Sequence, residues 1–199
     1  MYFHDASKRL AAYNPAMSRS SFAHMRCSIA RSLDVIGEWW TLLIVREAFW
    51  GARRFGEFES RLGIAPNILS QRLSRLVAHG VLEVTQTSQN GKALAYALTP
   101  KGRDLLPVMV ALTQWGDQHE ALPEGPAVTL VDRASGEALG PLQLTTVSGQ
   151  AVQARDVTVQ PGPGAQADER ERLEALQARR AQRLAARAEP DPTVPDPSF

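Results

Sequence analysis

The stretch Ile64-Ala65-Pro66-Asn67-Ile68-Leu69-Ser70-Gln71-Arg72-Leu73-Ser74-Arg75-Leu76-Val77-Ala78-His79-Gly80 decides the fold of this chain. Pro66 opens it as a first-turn proline and Gly80 closes it. Leu69, Leu73, Leu76 and Val77 recur at helical spacing and form one apolar stripe. At about 100° per residue the opposite face carries Asn67, Gln71, Ser74, Arg75 and Ala78. A helix glued down along one stripe, with amide, hydroxyl and guanidinium groups on the other, is expected to present hydrogen-bonding groups outward.

Three shorter helical patterns precede it. Ile29, Ala30, Leu33 and Ile36 are spaced for a helix over 28–36 that Gly37 stops, and Trp39 to Phe49 is apolar on nearly every side, which predicts a central buried helix ended by Gly51. Phe55, Phe58 and Leu62 form a third, closed by Gly63. Downstream, 81–87 and 94–98 read as two strands joined through Asn90-Gly91, the strongest short hairpin signal. Thr99-Pro100 then opens a last long helix whose apolar face, Leu105, Val108, Met109, Leu112 and Trp115, is more than the small core can cover alone and is the expected dimer interface. Helices, a tight turn, an outward-facing helix and a hairpin make up a helix-turn-helix with a wing.

The rest of the chain bounds the function classes. The 199 residues carry 22 Lys and Arg against 21 Asp and Glu, a net charge of +1, so any nucleic-acid surface must arise locally. Residues 52–79 supply it, with five Arg and two Glu, a local +3. A single cysteine, Cys27, excludes an intrachain disulfide, and no signal peptide or apolar run near the roughly 20 residues of a membrane span is found. A cytoplasmic protein with no membrane partner is expected. The four histidines have no metal-ligand spacing, and no nucleophile elbow, phosphate loop, paired-histidine helix or dinucleotide fingerprint occurs, so no enzyme, metal or cofactor is expected.

On the outward helix, Arg75 paired with guanine and Gln71 with adenine are the natural base contacts, supported by Asn67 and Ser74. Arg53, Arg54 and Arg72 flank that surface where phosphate would lie, and Lys92 sits beside the hairpin tip. These residues identify double-stranded DNA as the expected partner. The alternative from the residues alone is a winged-helix module that binds protein or a small molecule without an operator.

The text Asp34-Val35-Ile36-Gly37, Trp40-Thr41-Leu42-Leu43-Ile44-Val45-Arg46, Gly51 and Arg53-Arg54-Phe55 resembles the HxlR-type winged-helix regulators. The resemblance continues through 64–73, Leu76, Gly80-Val81-Leu82 and Tyr96-Ala97-Leu98-Thr99-Pro100-Lys101-Gly102, covering roughly residues 26–120. It implies a homodimeric transcriptional regulator, joined through the first and last helices, on a partly palindromic operator. Two positions depart from the family pattern: Ala65 stands where Ser or Thr usually caps the outward helix, and the hairpin tip carries one Lys and no Arg.

Four regions are expected: an N-terminal arm over 1–21, the winged-helix and dimerisation domain over 22–122, a small β-ribbon over 126–160, and a helical then disordered tail over 161–199. The fold class is thus mainly α with a β-hairpin wing, plus that ribbon and tail. Related chains often place a Cys-x-x-Cys knuckle after the last helix. Here Thr145 and Ser148 occupy such a spacing, which predicts a metal-free ribbon held by apolar contacts. Cys27, beside Arg26 at a helix start, is a candidate redox sensor, with interface packing as the alternative, and an effector small molecule stays open.

Overall fold

The computed structural model describes residues 21, 22, 24–86 and 94–188, and divides the chain into one unit through Leu139 and a second from Gly140. Residues 1–20 of the expected arm, the hairpin tip with Asn90, Gly91 and Lys92, and the final segment from 189 lie outside the described residues.

In the first unit, α1 (Ser28–Ile36), α2 (Trp39–Phe49), α3 (Phe55–Leu62) and α4 (Pro66–Ala78) are followed by β1 (Leu82–Gln86), β2 (Leu94–Leu98), α5 (Pro100–Arg103) and α6 (Leu106–His119). The strands pair antiparallel, Leu82 opposite Leu98 and Gln86 opposite Leu94. This is a mainly helical fold with a two-stranded wing. Arg54 bridges Ala95, and Tyr96 N donates to Arg53 O at 2.7 Å, so the segment before α3 lies along the outer edge of the hairpin.

The core is built where these elements converge: Ile44, Val45 and Ala48 of α2, Phe58 of α3, Leu69, Leu73 and Leu76 of α4, with Val81, Leu82 and Leu98. Each large apolar side chain taken out of water there contributes about 1.5–3 kcal/mol. Glu47 of α2 is also buried, and it keeps its charge partnered by Arg46 at 2.7 Å and Arg61 at 3.6 Å. Gly63 ends α3 with φ of 61°, a left-handed conformation that costs a side chain little only in glycine.

The last helix differs from expectation. It is two helices, a short α5 and then α6 from Leu106, because Pro107 has no N–H to continue a ladder from the preceding turn. Thr99 caps α5, its hydroxyl accepting from Gly102 N at 3.0 Å and donating to Gly80 O at 2.6 Å. That places α5 against the α4–β1 junction. Of the expected dimer face, Leu105 and Met109 instead pack on the chain's own core, while Val108, Leu112 and Trp115 are exposed.

The ribbon region is also built differently. Val131 bridges Ala138 within the first unit, whereas β3 (Leu144–Thr145) pairs with β4 (Ala151–Val152) in the second. Most side chains over 126–160 are exposed, so apolar contacts do not hold these turns. Polar groups do: Asp132 Oδ2 accepts from Ser135 N and Ser135 Oγ at 2.8 Å each, and Thr146 Oγ1 accepts from Gln150 N at 3.1 Å. In the second unit α7 (Ala167–Ala188) is secured by Arg180, which donates to the carbonyls of Arg155 and Val157 at 2.6 and 2.8 Å.

Two glycines test the packing in opposite directions. A Cβ at Gly102 would collide with the Val81 carbonyl oxygen and meet Leu98 Cδ2 at 3.0 Å, whereas a Cβ at Gly56 on α3 meets nothing within 4 Å. Gly102→Ala is therefore expected to lower unfolding free energy by about 1–3 kcal/mol. Gly56→Ala should raise it by about 0.5–1 kcal/mol. Urea denaturation of the two variants checks both signs.

Candidate nucleic-acid interface

Burial of Leu69, Leu73 and Leu76 turns one side of α4 into the core and leaves Asn67, Ser70, Gln71, Ser74 and Ala78 exposed. Ala65 stands at the N-cap without a side-chain hydrogen bond, and Pro66 starts the helix with a preset φ. Expected contact groups Asn67, Gln71 and Ser74 thus stand together on one arc. Ser70 joins them, although the sequence reading passed over it. Its signal was present in its spacing: it lies three residues from Asn67 and four from Ser74.

Arg72 and Arg75 do not stand free on that arc. Arg75 donates to the backbone carbonyl of Asp34 and lies 3.8 Å from Asp34 Oδ1, with one third of its side chain exposed. Arg72 pairs with Glu38 at 3.0 Å, the two side chains only 14% and 13% exposed. The guanidiniums expected to meet guanine and phosphate are engaged in this structure as tethers from α4 to the end of α1 and the start of α2. At 100° per residue Arg75 lies roughly 130° from the middle of the leucine stripe, far enough to read as outward until α1 is known to pack there.

Asp34 gathers a second set of contacts. Its Oδ1 accepts from Phe22 N at 3.1 Å and its Oδ2 from Ser21 Oγ at 3.0 Å. Those bonds, first the backbone one, with Arg75 adding a smaller attraction, hold its carboxyl below the ordinary value of 3.8. Glu57 is lowered likewise, accepting from the backbone N–H groups of Arg53 at 2.6 Å and Arg54 at 3.0 Å. That carboxylate shapes the turn into α3 and leaves the Arg53 and Arg54 side chains exposed. Arg53 also reaches Ala48 O at 3.3 Å. Cys27 is exposed at the N-cap of α1 and makes no side-chain cap hydrogen bond. Among the described residues no group of three His, Cys, Asp or Glu is placed to hold a metal ion.

The HxlR-like helix-turn-helix profile matches residues 35–123, the span from the end of α1 through α6. An HTH-type transcriptional regulator of Mycobacterium tuberculosis, Rv3095, is 44% identical over 137 residues, 69% of this chain and 87% of that one. This chain belongs to the HxlR-like helix-turn-helix family. The crystal structure of PA1607, provisionally classed as a transcription factor, superposes with a TM-score of 0.67 at 43% identity, over 72% of this chain and all of that one. PA1374 from Pseudomonas aeruginosa, classed in the same way, gives 0.54 at 44% identity, over 74% of this chain and all of that one. Like its HxlR-like relatives, this is an HTH-type transcriptional regulator with a winged-helix fold, and no described helix is long and apolar enough to cross a membrane.

The tethers of this HxlR-like domain make two expectations. Breaking one side of the half-buried pair strands the other, so Arg72→Ala should cost about 2–4 kcal/mol in urea denaturation. A cycle with Glu38→Ala should return a coupling of about 1–3 kcal/mol. Because the Asp34 carboxyl is lowered by folding, its contribution is present above pH 3.8 and is lost as pH falls below that value. Asp34→Asn should accordingly flatten the acid limb of the stability profile and leave the neutral-to-alkaline shape unchanged.

Proposed function

We propose that this chain regulates transcription by binding double-stranded DNA as a homodimer on a partly palindromic operator, in the cytoplasm and without a cofactor or catalytic step. The observation that carries the reading is the exposed arc of α4. Asn67, Ser70, Gln71 and Ser74 are uncharged hydrogen-bonding groups on a helix whose other side is locked into the core. Such a helix fits the major groove, where amides and hydroxyls meet base edges.

Arg53 and Arg54 stand exposed in a segment pinned to the hairpin, and suit phosphate contact. Arg72 and Arg75 act here by fixing the angle of α4. Lys92 at the wing is a phosphate contact by its place in the sequence. Dimerisation is supported by apolar surface that the protomer leaves bare: Val108, Leu112 and Trp115 form one stripe on α6, and Ile29 and Leu33 form another on α1. Neighbouring exposed apolar side chains on this scale mark an interaction surface. Cys27, exposed where α1 begins, is open to oxidants; operator affinity of wild type and Cys27→Ser before and after diamide decides whether it acts as a sensor.

Sites selected from random duplexes supply an operator for the tests. Gln71→Ala and Ser74→Ala should each lose about 1–3 kcal/mol of discrimination between selected and scrambled DNA, measured by fluorescence anisotropy. Arg53→Ala and Arg54→Ala should weaken both DNAs equally and reduce the salt slope by about 1 each. If neither pair changes binding, the helix is a protein-docking surface instead. Leu112→Asp, placing a charge in the α6 stripe, should sediment as a monomer, and a folded variant that remains dimeric would contradict the assigned interface.

A further inference from the structure

A cleft of about 370 Å³ opens where α1 faces the start of β1 and the turn between α5 and α6. That volume falls within the range of small-molecule sites. Its floor is apolar, made by Val35 and Ile36 of α1, Val81 and Leu105. Its rim is polar and cationic: Arg31 on one side and Lys101 on the other, with Ser28 and Ser32 one turn apart on α1. No carboxylate lines it.

The donors of this rim are largely uncommitted. Arg31, Ser28 and Ser32 make no side-chain hydrogen bond or ion pair among the described residues. Lys101 Nζ donates to His79 O at 2.8 Å, which leaves two of its three protons to offer. The cleft also lies on its own face of α1. Ser28, Arg31, Ser32 and Val35 line up along one side of the helix, and Ile29 and Leu33, the stripe assigned to the partner subunit, point roughly 110–150° away.

We propose that this cleft binds a small organic monocarboxylate with an aromatic or aliphatic body. A free phosphate would use the cations and leave the apolar floor wet. A neutral hydrocarbon would cover the floor and desolvate two cations without replacing their water. A carboxylate with an apolar body satisfies both, its oxygens between Arg31 and Lys101 and its body on Val35, Val81 and Leu105. Binding at this place bears on the last turn of α4 through two contacts: α1 carries the Asp34 that holds Arg75, and Lys101 holds the carbonyl of His79, which ends α4. That consequence rests on the DNA-binding reading; the site itself does not.

The test therefore measures binding without DNA. Benzoate, 3-phenylpropanoate and 1-naphthoate are titrated by calorimetry into the full chain up to about 10 mM, each beside its neutral amide. At least one carboxylate should bind tenfold or more tightly than its amide. Arg31→Gln and Lys101→Gln should each weaken that carboxylate about fivefold or more while leaving the amide unchanged, with circular dichroism confirming that both variants are folded. Absence of binding by all three acids overturns the site, as does equal affinity for acid and amide or indifference to both substitutions. Failure of operator binding in the separate anisotropy assay would touch the functional reading alone.

Discussion

The burial of Leu69, Leu73 and Leu76 against Phe58, Ile44 and Val45 is the contact on which the remaining features of the first unit depend. It removes one side of α4 from water, and the helical period then forces Asn67, Ser70, Gln71 and Ser74 to the surface. The same packing brings Val81 and Leu82 beneath the end of α4, so the hairpin begins where the helix stops and its outer edge can take up the backbone of Arg53 and Arg54. Helix, wing and flanking cations hold a set relation because they share one core.

Around that core α1 serves in three directions. Ala30 and the Asp34 carbonyl face inward, the latter receiving Arg75. Ile29 and Leu33 project apolar surface toward solvent. Val35 and Ile36 floor the cleft. A nine-residue helix has few internal contacts of its own, so its position is set by these neighbours, and a change at any one of them alters what the others meet. The Arg72–Glu38 and Arg75–Asp34 tethers give that dependence a direct line to α4. Such pairs add little net stability against an apolar alternative, but they specify one angle between helices.

The second unit follows a different logic. Its strands are two residues long and most of its side chains are exposed, so hydrogen bonds accepted by Thr146 and donated by Gln177 and Arg180 do the ordering that a core does elsewhere. The turn that carries the Thr145–Ser148 spacing is closed by short-range polar contacts among Thr146, Ser148 and Gln150.

Periodicity made the helices over 28–36, 55–62 and 66–78 legible, because an apolar residue every three or four positions has one physical solution once one side must leave water, and the all-round apolar run made 39–49 legible as a buried helix. Glycine at 37, 63 and 80 and proline at 66 and 100 marked their ends for local steric reasons. The break at Pro107 was equally local and went unread, since the apolar pattern runs across it. Other features were settled by packing between segments distant in the chain. Arg75 and Arg72 carry the same charge as Arg53 and Arg54, yet the first two pair with Asp34 and Glu38, 41 and 34 residues away, and the last two stay exposed without a carboxylate ion-pair partner among the described residues. Leu105 and Met109 turn inward while Leu112, of the same apolar pattern, stays out. Helical period assigns a side chain to a direction around its own axis, and what stands in that direction is fixed by the neighbouring helices, whose approach no local spacing encodes.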